Sequence, residues 1–401
     1  MHRATSSTLR SASLAFALLL AAAGCSGPIF DAQSDNDAGT QDAGDPDAGP
    51  DGGGFDAGPD GGGFDGGAQD AGNQDAGTQD AGNQDAGVHD AGNQDAGTQD
   101  AGIRDWSGFP AIVTLPQASS LWVLSDIHGD DQALITLLSG AGIIDQAQRW
   151  AAGTATFVIV GDMIDKGPDA VGVIRLVAAL QSQARSAGGQ LVVTMGNHEA
   201  EFLADPTNSK ASASNGFDVD LADAGLTPAA TAAGLDDVGL FIRDLPFAAR
   251  VGDWFFAHAG NTAGQTLAQL SAALVAGVNA SGFGADILAN TSSILEAKAA
   301  TSVFWEQSGD PQTTLTNWAH ALGAERIVVG HEPAKVTFAD GTKRAADTMF
   351  QRYNRIFLID TGMSVGANNT GGALLHVPNP ADPTSAERVT PDGAHHTLVA
   401  Q

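Results

Sequence analysis

Five short apolar runs, each ending at a glycine or a polar side chain, constrain the fold of this chain more than any other feature of its sequence. Each run is three to five residues long, which is typical of a buried β-strand that ends in a turn. Residues with helical spacing lie between the runs, so the chain is predicted to form an α/β sheet with helices packed outside it. The runs begin at Leu121, Phe157, Leu191, Trp254 and Ile327.

Helical patterns occupy several of the segments between these runs. Apolar residues recur at intervals of three or four along 133–138 and 171–177, which predicts a helix in each segment. Two longer Ala-rich stretches, 200–245 and 262–300, are also predicted to be helical. We interpret them as insertions that wall the functional site; plain core helices are the alternative.

Polar side chains that could bind metal ions follow each of the five predicted strands. In α/β sheets, ligands bind where loops leave the carboxyl ends of the strands, so these side chains are expected to lie together. In the first cluster, two ligands separated by one residue point the same way from an extended strand end. The clusters are Asp126-Ile-His128, Gly161-Asp162-Met-Ile-Asp165-Lys166-Gly167, Gly196-Asn197-His198-Glu199, His258 in Ala-His-Ala-Gly, and His331 in Gly-His-Glu-Pro.

The five clusters together supply enough carboxylate, imidazole and amide ligands for two divalent cations. Each cluster alone is a weak signal, because a lone histidine at a strand end is more often a surface or core residue. Mixed oxygen and nitrogen ligation suits Mn, Fe or Zn better than the all-oxygen sites that Ca or Mg prefer. Two ions about 4 Å apart stabilise the attacking and leaving oxygens of an in-line displacement, so the clusters predict a two-metal site.

This motif set resembles that of the calcineurin-like metallophosphoesterases, in which D-x-H, G-D-x-x-D-[KR]-G and G-N-H-E precede two later histidines. Within them, the chain looks most like the phosphoprotein phosphatase group, and specifically its Shewanella-like bacterial branch. The segment Ile359-Asp360-Thr-Gly-Met-Ser364 is similar to the closing strand and loop of that branch. The resemblance covers residues 118–377 and implies a four-layer α/β/β/α sandwich that hydrolyses phosphoesters.

The resemblance also implies a role for each residue in the motifs. Six side chains would bind two divalent metal ions, and one of the six would bridge both ions. The first ion would be held by Asp126 and His128, both ions by Asp162, and the second ion by Asn197, His258 and His331.

Three further motif residues would act on the substrate and not on the metals. His198 would be the general acid that protonates the leaving-group oxygen, and Asp165 would orient it through a hydrogen bond. Lys166 would contact the substrate phosphate. Water would attack phosphorus directly, without a covalent enzyme intermediate.

Two departures from the family pattern bear on the substrate. Lys166 stands where the family usually has Arg, so one point charge replaces a bidentate fork. The second phosphate-binding Arg of the phosphatase group is also missing, since segment 303–311 contains no Arg. Lys335 is the candidate replacement. Pro333 occupies a position where several members of the superfamily have a further His, which favours the phosphatase-group geometry.

The favoured function is therefore phosphomonoester hydrolysis, on phosphoserine, phosphothreonine or phosphotyrosine. Hydrolysis of dinucleoside polyphosphates is the alternative reaction, because similar sequences with G-N-H-E also perform it. An inactive binding module on the cell surface is a third possibility. Intact ligand types at all six positions argue against it.

The N-terminal residues 1–25 have the pattern of a bacterial secretion signal. Arg3 and Arg10 precede the apolar run Leu14–Ala23, which is too short to span a bilayer stably. Cys25 follows a glycine and is the only cysteine, so we predict that it is lipidated after cleavage. An ordinary signal peptide cut near Ala23 is the alternative. The expected location is periplasmic or cell-surface, anchored to a membrane.

Residues 26–105 are predicted to form a disordered linker before a catalytic domain at 106–401. Eighteen Asp and almost no large apolar residues lie between 31 and 105, so the segment cannot offset its ordering entropy. Calcium binding is the weaker alternative, because one Asp in five residues does not bring several ligands into one turn. The formal net charge is -29, and no basic stripe indicates a nucleic-acid partner.

Overall fold

The computed structural model describes residues 104–307 and 309–401. The predicted signal peptide, the lipidation site at Cys25 and the linker up to residue 103 lie outside the described residues.

Fourteen β-strands and nine α-helices occur in the described ranges. The strands are β1 (Ile112–Leu115), β2 (Leu121–Leu124), β3 (Thr156–Val160), β4 (Gln190–Thr194), β5 (Ala248–Val251), β6 (Trp254–Ala257), β7 (Arg326–Val329), β8 (Val336–Thr337), β9 (Lys343–Arg344), β10 (Phe350–Arg352), β11 (Ile356–Leu358), β12 (Leu374–Val377), β13 (Glu387–Val389) and β14 (His395–Thr397). The helices are α1 (Asp131–Gly140), α2 (Ala170–Ser186), α3 (Asn197–Ala204), α4 (Phe217–Asp223), α5 (Pro228–Ala232), α6 (Asp237–Arg243), α7 (Leu267–Ser281), α8 (Asp286–Ala289) and α9 (Pro311–Ala321).

Most of the strands belong to two six-stranded sheets, and β8 and β9 form a separate pair. The first sheet has the order β1-β5-β6-β7-β11-β10, and the second has the order β14-β13-β12-β2-β3-β4. Strands β2, β3 and β4 run parallel in the second sheet, as do β6, β7 and β11 in the first. Parallel neighbours end at the same edge, so each sheet presents several strand-end loops together.

The two sheets pack face to face over an apolar core, and helices cover their outer faces. Along β2, Leu121 and Val123 point into the core between the sheets, whereas Trp122 and Leu124 point to the outer side. Helix α2 contacts β4 outside the second sheet, and α9 contacts β7 outside the first. The predicted four-layer α/β/β/α sandwich is therefore confirmed.

The elements predicted from the apolar pattern are present. The five predicted strands are β2, β3, β4, β6 and β7, and the two helical segments are α1 and α2. Asp130 caps α1 by accepting a hydrogen bond from the backbone N–H of Ala133, and Asp169 caps α2 by accepting one from Gly172. Each cap contributes about 1 kcal/mol, and both helices begin directly after loops that carry motif residues.

The two Ala-rich stretches form several short helices. The first stretch contains most of α3 and all of α4, α5 and α6, and the second contains α7 and α8. Glycines in the left-handed region interrupt the first stretch: Gly225 follows α4 with φ 73°, and Gly234 follows α5 with φ 73°. The stretch therefore folds as a compact set of turns and helices beside the strand ends.

Helix α7 and the turn after it, Leu267–Gly284, are long and apolar enough to cross a membrane by length and composition alone. One face of this helix packs on the domain through Leu270, Leu274 and Val278. Its polar residue Asn279 accepts a hydrogen bond from the indole of Trp106, at 2.9 Å. We therefore describe α7 as a surface helix of the folded domain.

Candidate active site

The loops after β2, β3 and β4 in one sheet and after β6 and β7 in the other meet at one edge of the sandwich. The backbone N–H of Asp126 donates to the carbonyl oxygen of Gly161, which joins the first two loops. The N–H of Gly330 donates to the carbonyl oxygen of His258. The N–H of His331 donates to a carboxylate oxygen of Asp126 at 2.9 Å, which joins the two sheets. The strand-end clusters thus come together, as the sequence predicts.

Asp162 lies at the centre of the converging side chains. Its Oδ2 atom is 3.3 Å from Nε2 of His258, 3.7 Å from Nε2 of His128 and 3.9 Å from Nε2 of His198. The side chain is 2% exposed. This carboxylate can therefore contact groups on both sides of the site, as a bridging ligand must.

A second set of ligand atoms surrounds His258. Its Nε2 atom lies 3.0 Å from Oδ1 of Asn197 and 3.0 Å from Nδ1 of His331. The two imidazole rings meet nearly edge to face, with an interplanar angle of 70°. Together with Asp162, these three residues place four ligand atoms around one small volume, where the resemblance implies a second metal ion.

Among the residues that the structure describes, a buried carboxylate oxygen and a buried imidazole nitrogen at this site have no hydrogen-bond partner. They are Oδ1 of Asp126 and Nε2 of His331. An unpaired buried polar atom costs about 1–3 kcal/mol, so Oδ1 of Asp126 needs another partner. A divalent cation would satisfy it, and the donor set of carboxylate, imidazole and amide oxygen fits such an ion. His331 faces the same donor set through its other ring nitrogen, Nδ1.

The backbone is strained at several residues of the site. Non-glycine residues with positive φ are uncommon and cost about 1–3 kcal/mol each when the surroundings impose them. Such strain clusters at functional sites in proteins. The strained site residues are Asp126 (φ 50°), His128 (φ 48°), Asp162 (φ 53°), Asp165 (φ 63°), Lys166 (φ 63°) and His331 (φ 70°).

Two glycines of the motifs make room for carboxylates. A Cβ atom on Gly196 would lie 2.1 Å from Oδ1 of Asp162, and one on Gly330 would lie 2.4 Å from Oδ2 of Asp126. Real Cβ atoms essentially never come so close. Both positions therefore require glycine, because a side chain there would push a ligand carboxylate out of place.

Hydrogen bonds to backbone carbonyls orient two of the imidazoles. Nδ1 of His128 lies 3.1 Å from the carbonyl oxygen of Ile164, and Nδ1 of His258 lies 2.8 Å from that of Val160. Donation from Nδ1 turns the Nε2 atom of each ring towards Asp162. Metal-binding histidines are commonly held in this way.

Burial and mutual charge set the electrostatics of the site. Burial raises the pKa of the Asp126 carboxyl well above its ordinary value. Burial alone would also raise the pKa of Asp162, but His258, His198 and His128 hold it well below its usual range. Burial would lower the pKa of His258, yet the neighbouring Asp162 and Asp126 raise it to about 10. The low pKa of Asp162 and the raised pKa of His258 therefore favour a negative and a positive charge side by side at the centre of the site.

His198 differs from the other histidines in its partners. Its Nδ1 atom lies 2.6 Å from Oδ2 of Asp165. The other oxygen of Asp165 accepts the backbone N–H of Phe217 at 2.9 Å. Both oxygens of this carboxylate are thus engaged, and the imidazole of His198 is held in one orientation with its Nε2 atom towards Asp162.

The sequence matches a family model described as calcineurin-like phosphoesterase over residues 119–335, and this match includes all the strand-end clusters.

The chain belongs to the calcineurin-like phosphoesterase family.

Two curated relatives are similar to short parts of this phosphoesterase. An uncharacterized protein of Schizosaccharomyces pombe is 40% identical over 81 residues, which is 20% of this chain and 24% of the relative. Shewanella-like protein phosphatase 2 of Arabidopsis thaliana is 34% identical over 79 residues, which is 20% of each chain. The chain thus matches about a fifth to a quarter of the length of these relatives, and the second of them supports the Shewanella-like branch.

Solved structures extend the similarity to most of the fold. A cold-active protein-tyrosine phosphatase of a psychrophilic Shewanella species aligns with a TM-score of 0.55 and 22% identity, over 72% of this chain and 84% of that chain. Another structure of a cold-active protein tyrosine phosphatase aligns with a TM-score of 0.56 and 21% identity, over 77% and 88%. At this identity the likeness establishes the fold. Within this family of phosphoesterases, the chain brings together His and Asp groups that could hold metal ions.

Glu199 organises the phosphoesterase site, although the sequence motif assigned it no role. It is fully buried, and its two oxygens accept four backbone N–H groups, those of Gly196, Asp162, Met163 and Ile164. The donors belong to the loops after β3 and β4. Glu199 therefore joins the loop after β3, which carries Asp162, to the loop after β4, which carries the G-N-H-E motif.

Lysines line the cavity above the metal ligands of the phosphoesterase. The cavity has a volume of about 470 Å³, and Lys166, Lys210 and Lys298 line it. Lys166 also approaches His128, with 2.9 Å between Nζ and Nε2. Lys335 is exposed and is not among the lining residues. The other two ammonium groups in the cavity, those of Lys210 and Lys298, therefore belong to the two Ala-rich stretches. The prediction that Lys335 replaces the missing Arg is wrong.

The closing loop of the phosphoesterase reaches the site from the far end of the chain. The hydroxyl of Ser364 donates to the carbonyl oxygen of Lys166 at 3.3 Å, and Gly366 lines the cavity. Asp360 is buried near Asp126, and this burial raises the pKa of its carboxyl to about 6. The loop supports the second motif, where the strained Asp165 and Lys166 lie.

Proposed function

We propose that this phosphoesterase is a protein phosphatase that releases phosphate from phosphoserine, phosphothreonine or phosphotyrosine. The observation that carries the proposal is the pair formed by His198 and Asp165 beside the metal ligands, at the floor of an open cavity. A phosphorylated side chain on a protein can enter such a cavity from outside. The Shewanella-like relative and the structural neighbours named as protein phosphatases support this substrate class.

His198 is the group that protonates the leaving oxygen in this proposal. Its Nδ1 atom lies 2.6 Å from Oδ2 of Asp165 and donates a hydrogen bond to that oxygen. The proton that can be transferred to the substrate is therefore the one on Nε2. When water adds to phosphorus, the bond to the leaving oxygen breaks, and that oxygen takes the proton from Nε2. The products are the free hydroxyl side chain and inorganic phosphate.

Two divalent ions would supply the activation of water and the charge stabilisation that this displacement needs. Asp126 and His128 would hold one ion, and Asn197, His258 and His331 would hold the other. Asp162 would be a ligand of both ions. We propose Mn, Fe or Zn as the ions, because the ligands include both imidazole nitrogen and carboxylate oxygen.

The three lysines would bind the phosphate group of the substrate. Lys166 projects from the second motif, while Lys210 and Lys298 come from the walls of the cavity. Lys210 also forms an ion pair with Glu201, with 2.6 Å between Nζ and Oε1. Each ammonium is a mobile point charge and not a planar fork, so phosphoesters of different shape can be held.

A substrate panel tests the proposed class. The protein is assayed with Mn²⁺ on phosphoserine, phosphothreonine and phosphotyrosine peptides and on diadenosine tetraphosphate, with p-nitrophenyl phosphate as a reference. We expect kcat/KM to be higher on at least one phosphopeptide than on the dinucleotide. Preference for diadenosine tetraphosphate over every phosphopeptide would overturn the proposal and favour the dinucleoside polyphosphate reaction.

We also propose that the enzyme acts outside the cytoplasm, anchored to a membrane through lipid on Cys25. The arrangement of Arg3, Arg10, the apolar run and the only cysteine supports it. Labelled palmitate should enter the wild-type protein and not Cys25→Ala. A wild-type protein that takes up no label and stays in the soluble fraction would instead support an ordinary signal peptide.

A further inference from the structure

A row of side chains on the last strands of the second sheet brings two histidines and a glutamate together. In the pairing of the strands, His376 of β12 lies opposite Trp122 of β2 and Glu387 of β13. Glu387 lies opposite Thr397 of β14. His395 is two residues before Thr397, so it shares the same face of the sheet. The three strands therefore present His376, Glu387 and His395 side by side.

This row lies on the outer face of the sheet, away from the active site. The neighbours of His376 on its strand, Leu375 and Val377, point into the core between the two sheets. His376 consequently points outward, and its side chain is 12% exposed, whereas that of His395 is 44% exposed. Solvent can reach the row, and none of its residues lines the active-site cavity.

The ligand atoms of the three side chains converge on one point. Nδ1 of His395 lies 2.7 Å from Oε2 of Glu387, and Nδ1 of His376 lies 3.4 Å from the same oxygen. The three ligand atoms all lie within 4.8 Å of one another. Ligands 2.0–2.1 Å from a tetrahedral zinc ion are about 3.3 Å apart. The pair His376 and Glu387 already has this spacing, and the two pairs that include His395 would reach it by a rotation of that exposed side chain.

The ring of His376 is held in the orientation that a metal ligand needs. It stacks on Trp122 with 3.7 Å between the ring centroids and an interplanar angle of 11°. Its Nε2 atom lies 3.2 Å from the hydroxyl of Ser120. Its buried Nδ1 atom forms no well-aligned hydrogen bond with any described residue, although Oε2 of Glu387 lies 3.4 Å away. When Nε2–H donates to Ser120, the lone pair of Nδ1 faces the carboxylate of Glu387. A cation between Nδ1 of His376 and Oε2 of Glu387 would be bound by both lone pairs, which otherwise repel each other.

We propose that His376, Glu387 and His395 form a third metal site, separate from the two catalytic ions, that binds a divalent ion of the zinc class. Two imidazole nitrogens and one carboxylate oxygen suit zinc, and water reaching the exposed side supplies the fourth ligand. The hydrogen bond from Ser120 fixes the ring in the manner common to metal-binding histidines.

The ion would stabilise the edge of the second sheet. Strands β13 and β14 have three residues each, and β14 is the edge strand. Few backbone hydrogen bonds hold strands this short. An ion that joins β12, β13 and β14 through one side chain from each would oppose fraying of the C-terminal segment. Its effect is therefore expected on stability, while turnover stays the same.

The test compares zinc binding by the full-length protein and variants. Wild type, His395→Gln and Glu387→Gln are dialysed against the same low excess of ZnCl₂, and bound zinc is measured by elemental analysis. His396→Gln is the matched control, because His396 is the next residue on the same strand and points to the other face. We expect His395→Gln and Glu387→Gln each to bind one zinc fewer per chain than wild type, and His396→Gln to bind as much as wild type.

Thermal unfolding and activity separate this site from the catalytic ions. Zinc should raise the Tm of wild type and His396→Gln by more than that of His395→Gln, and turnover of p-nitrophenyl phosphate should be the same in all three proteins. Equal zinc content in wild type, His395→Gln and Glu387→Gln would overturn the proposal. A loss of zinc in His396→Gln equal to that in His395→Gln would also overturn it.

Discussion

The imidazole of His198 is bound through Nδ1 to Asp165 at 2.6 Å, and this contact distinguishes it from the neighbouring histidines. His128 and His258 use Nδ1 to contact backbone carbonyl oxygens. The contact with Asp165 fixes the ring of His198, so that its other nitrogen, Nε2, faces the site. The structure thus gives one histidine the partner of a proton donor, although its Nε2 atom is also within 3.9 Å of Asp162.

Replacing His198 should slow proton transfer without removing metal. His198→Asn is expected to keep the same metal content as wild type and to lose about 10²–10⁴ in rate on a phosphoserine peptide. The loss should be smaller on p-nitrophenyl phosphate, because nitrophenolate leaves well without a proton. Asp165→Asn should show the same order with a smaller loss. A drop in metal content, or equal losses on both substrates, would make His198 a ligand.

Replacing the bridging carboxylate should affect both ions. Asp162→Asn is expected to reduce bound metal by up to two ions per chain and activity by more than about 100-fold, since even changes to groups that only hold a ligand cost roughly 10- to 100-fold. Asp126→Asn, the matched comparison, should weaken mainly one ion. Elemental analysis after gel filtration measures this difference. Identical losses in the two variants would argue against a bridging role for Asp162.

The cavity lysines should contribute to substrate binding, whereas Lys335 should not. Lys298→Ala is expected to raise KM for a phosphopeptide roughly two- to tenfold, because a charged contact to phosphate is lost in a partly solvated place. Lys335→Ala is the control, since its side chain is exposed outside the cavity lining. Steady-state kinetics on one phosphopeptide compares the two variants. A larger effect of Lys335→Ala would reverse the assignment.

Asp220 should make the stability of the domain depend on pH. Burial raises the pKa of this carboxyl to about 6, and it accepts the N–H of Ala170, the first residue of α2. Because the pKa is raised in the folded protein, Asp220 contributes fully to the free energy of unfolding only below its pKa in the unfolded chain, near 3.8. This contribution is lost as the pH rises through about 6. Asp220→Asn should therefore exceed wild type in Tm by less at pH 5 than at pH 8. A gap that is as large at pH 5 as at pH 8 would contradict this.

The strand-end motifs could be predicted because the ligands are adjacent to the strands that position them. Each of the runs leading to Asp126, Asp162, Asn197, His258 and His331 is a short apolar segment, and the fold brings their ends to one edge. A pattern of this kind is local in sequence. It requires no knowledge of how distant elements pack.

The parts that escaped prediction depend on long-range packing. Lys298 lines the cavity only because the loop after α8 folds back over the strand ends, whereas Lys335 follows a motif in sequence and points elsewhere. Glu199 has four backbone partners in two loops, which its place in the motif could not reveal. Strands β12 to β14 are three or four residues long and have too little pattern to assign.

Metal dependence is the central claim, and removal and return of metal test it most directly. The full-length protein is treated with EDTA, dialysed until no divalent metal is detected, and assayed on p-nitrophenyl phosphate and a phosphoserine peptide before and after addition of Mn²⁺. The ligand cluster around Asp162 predicts that hydrolysis disappears on both substrates after chelation and returns when about two ions per chain are bound. Hydrolysis that continues at the original rate in metal-free protein would contradict it.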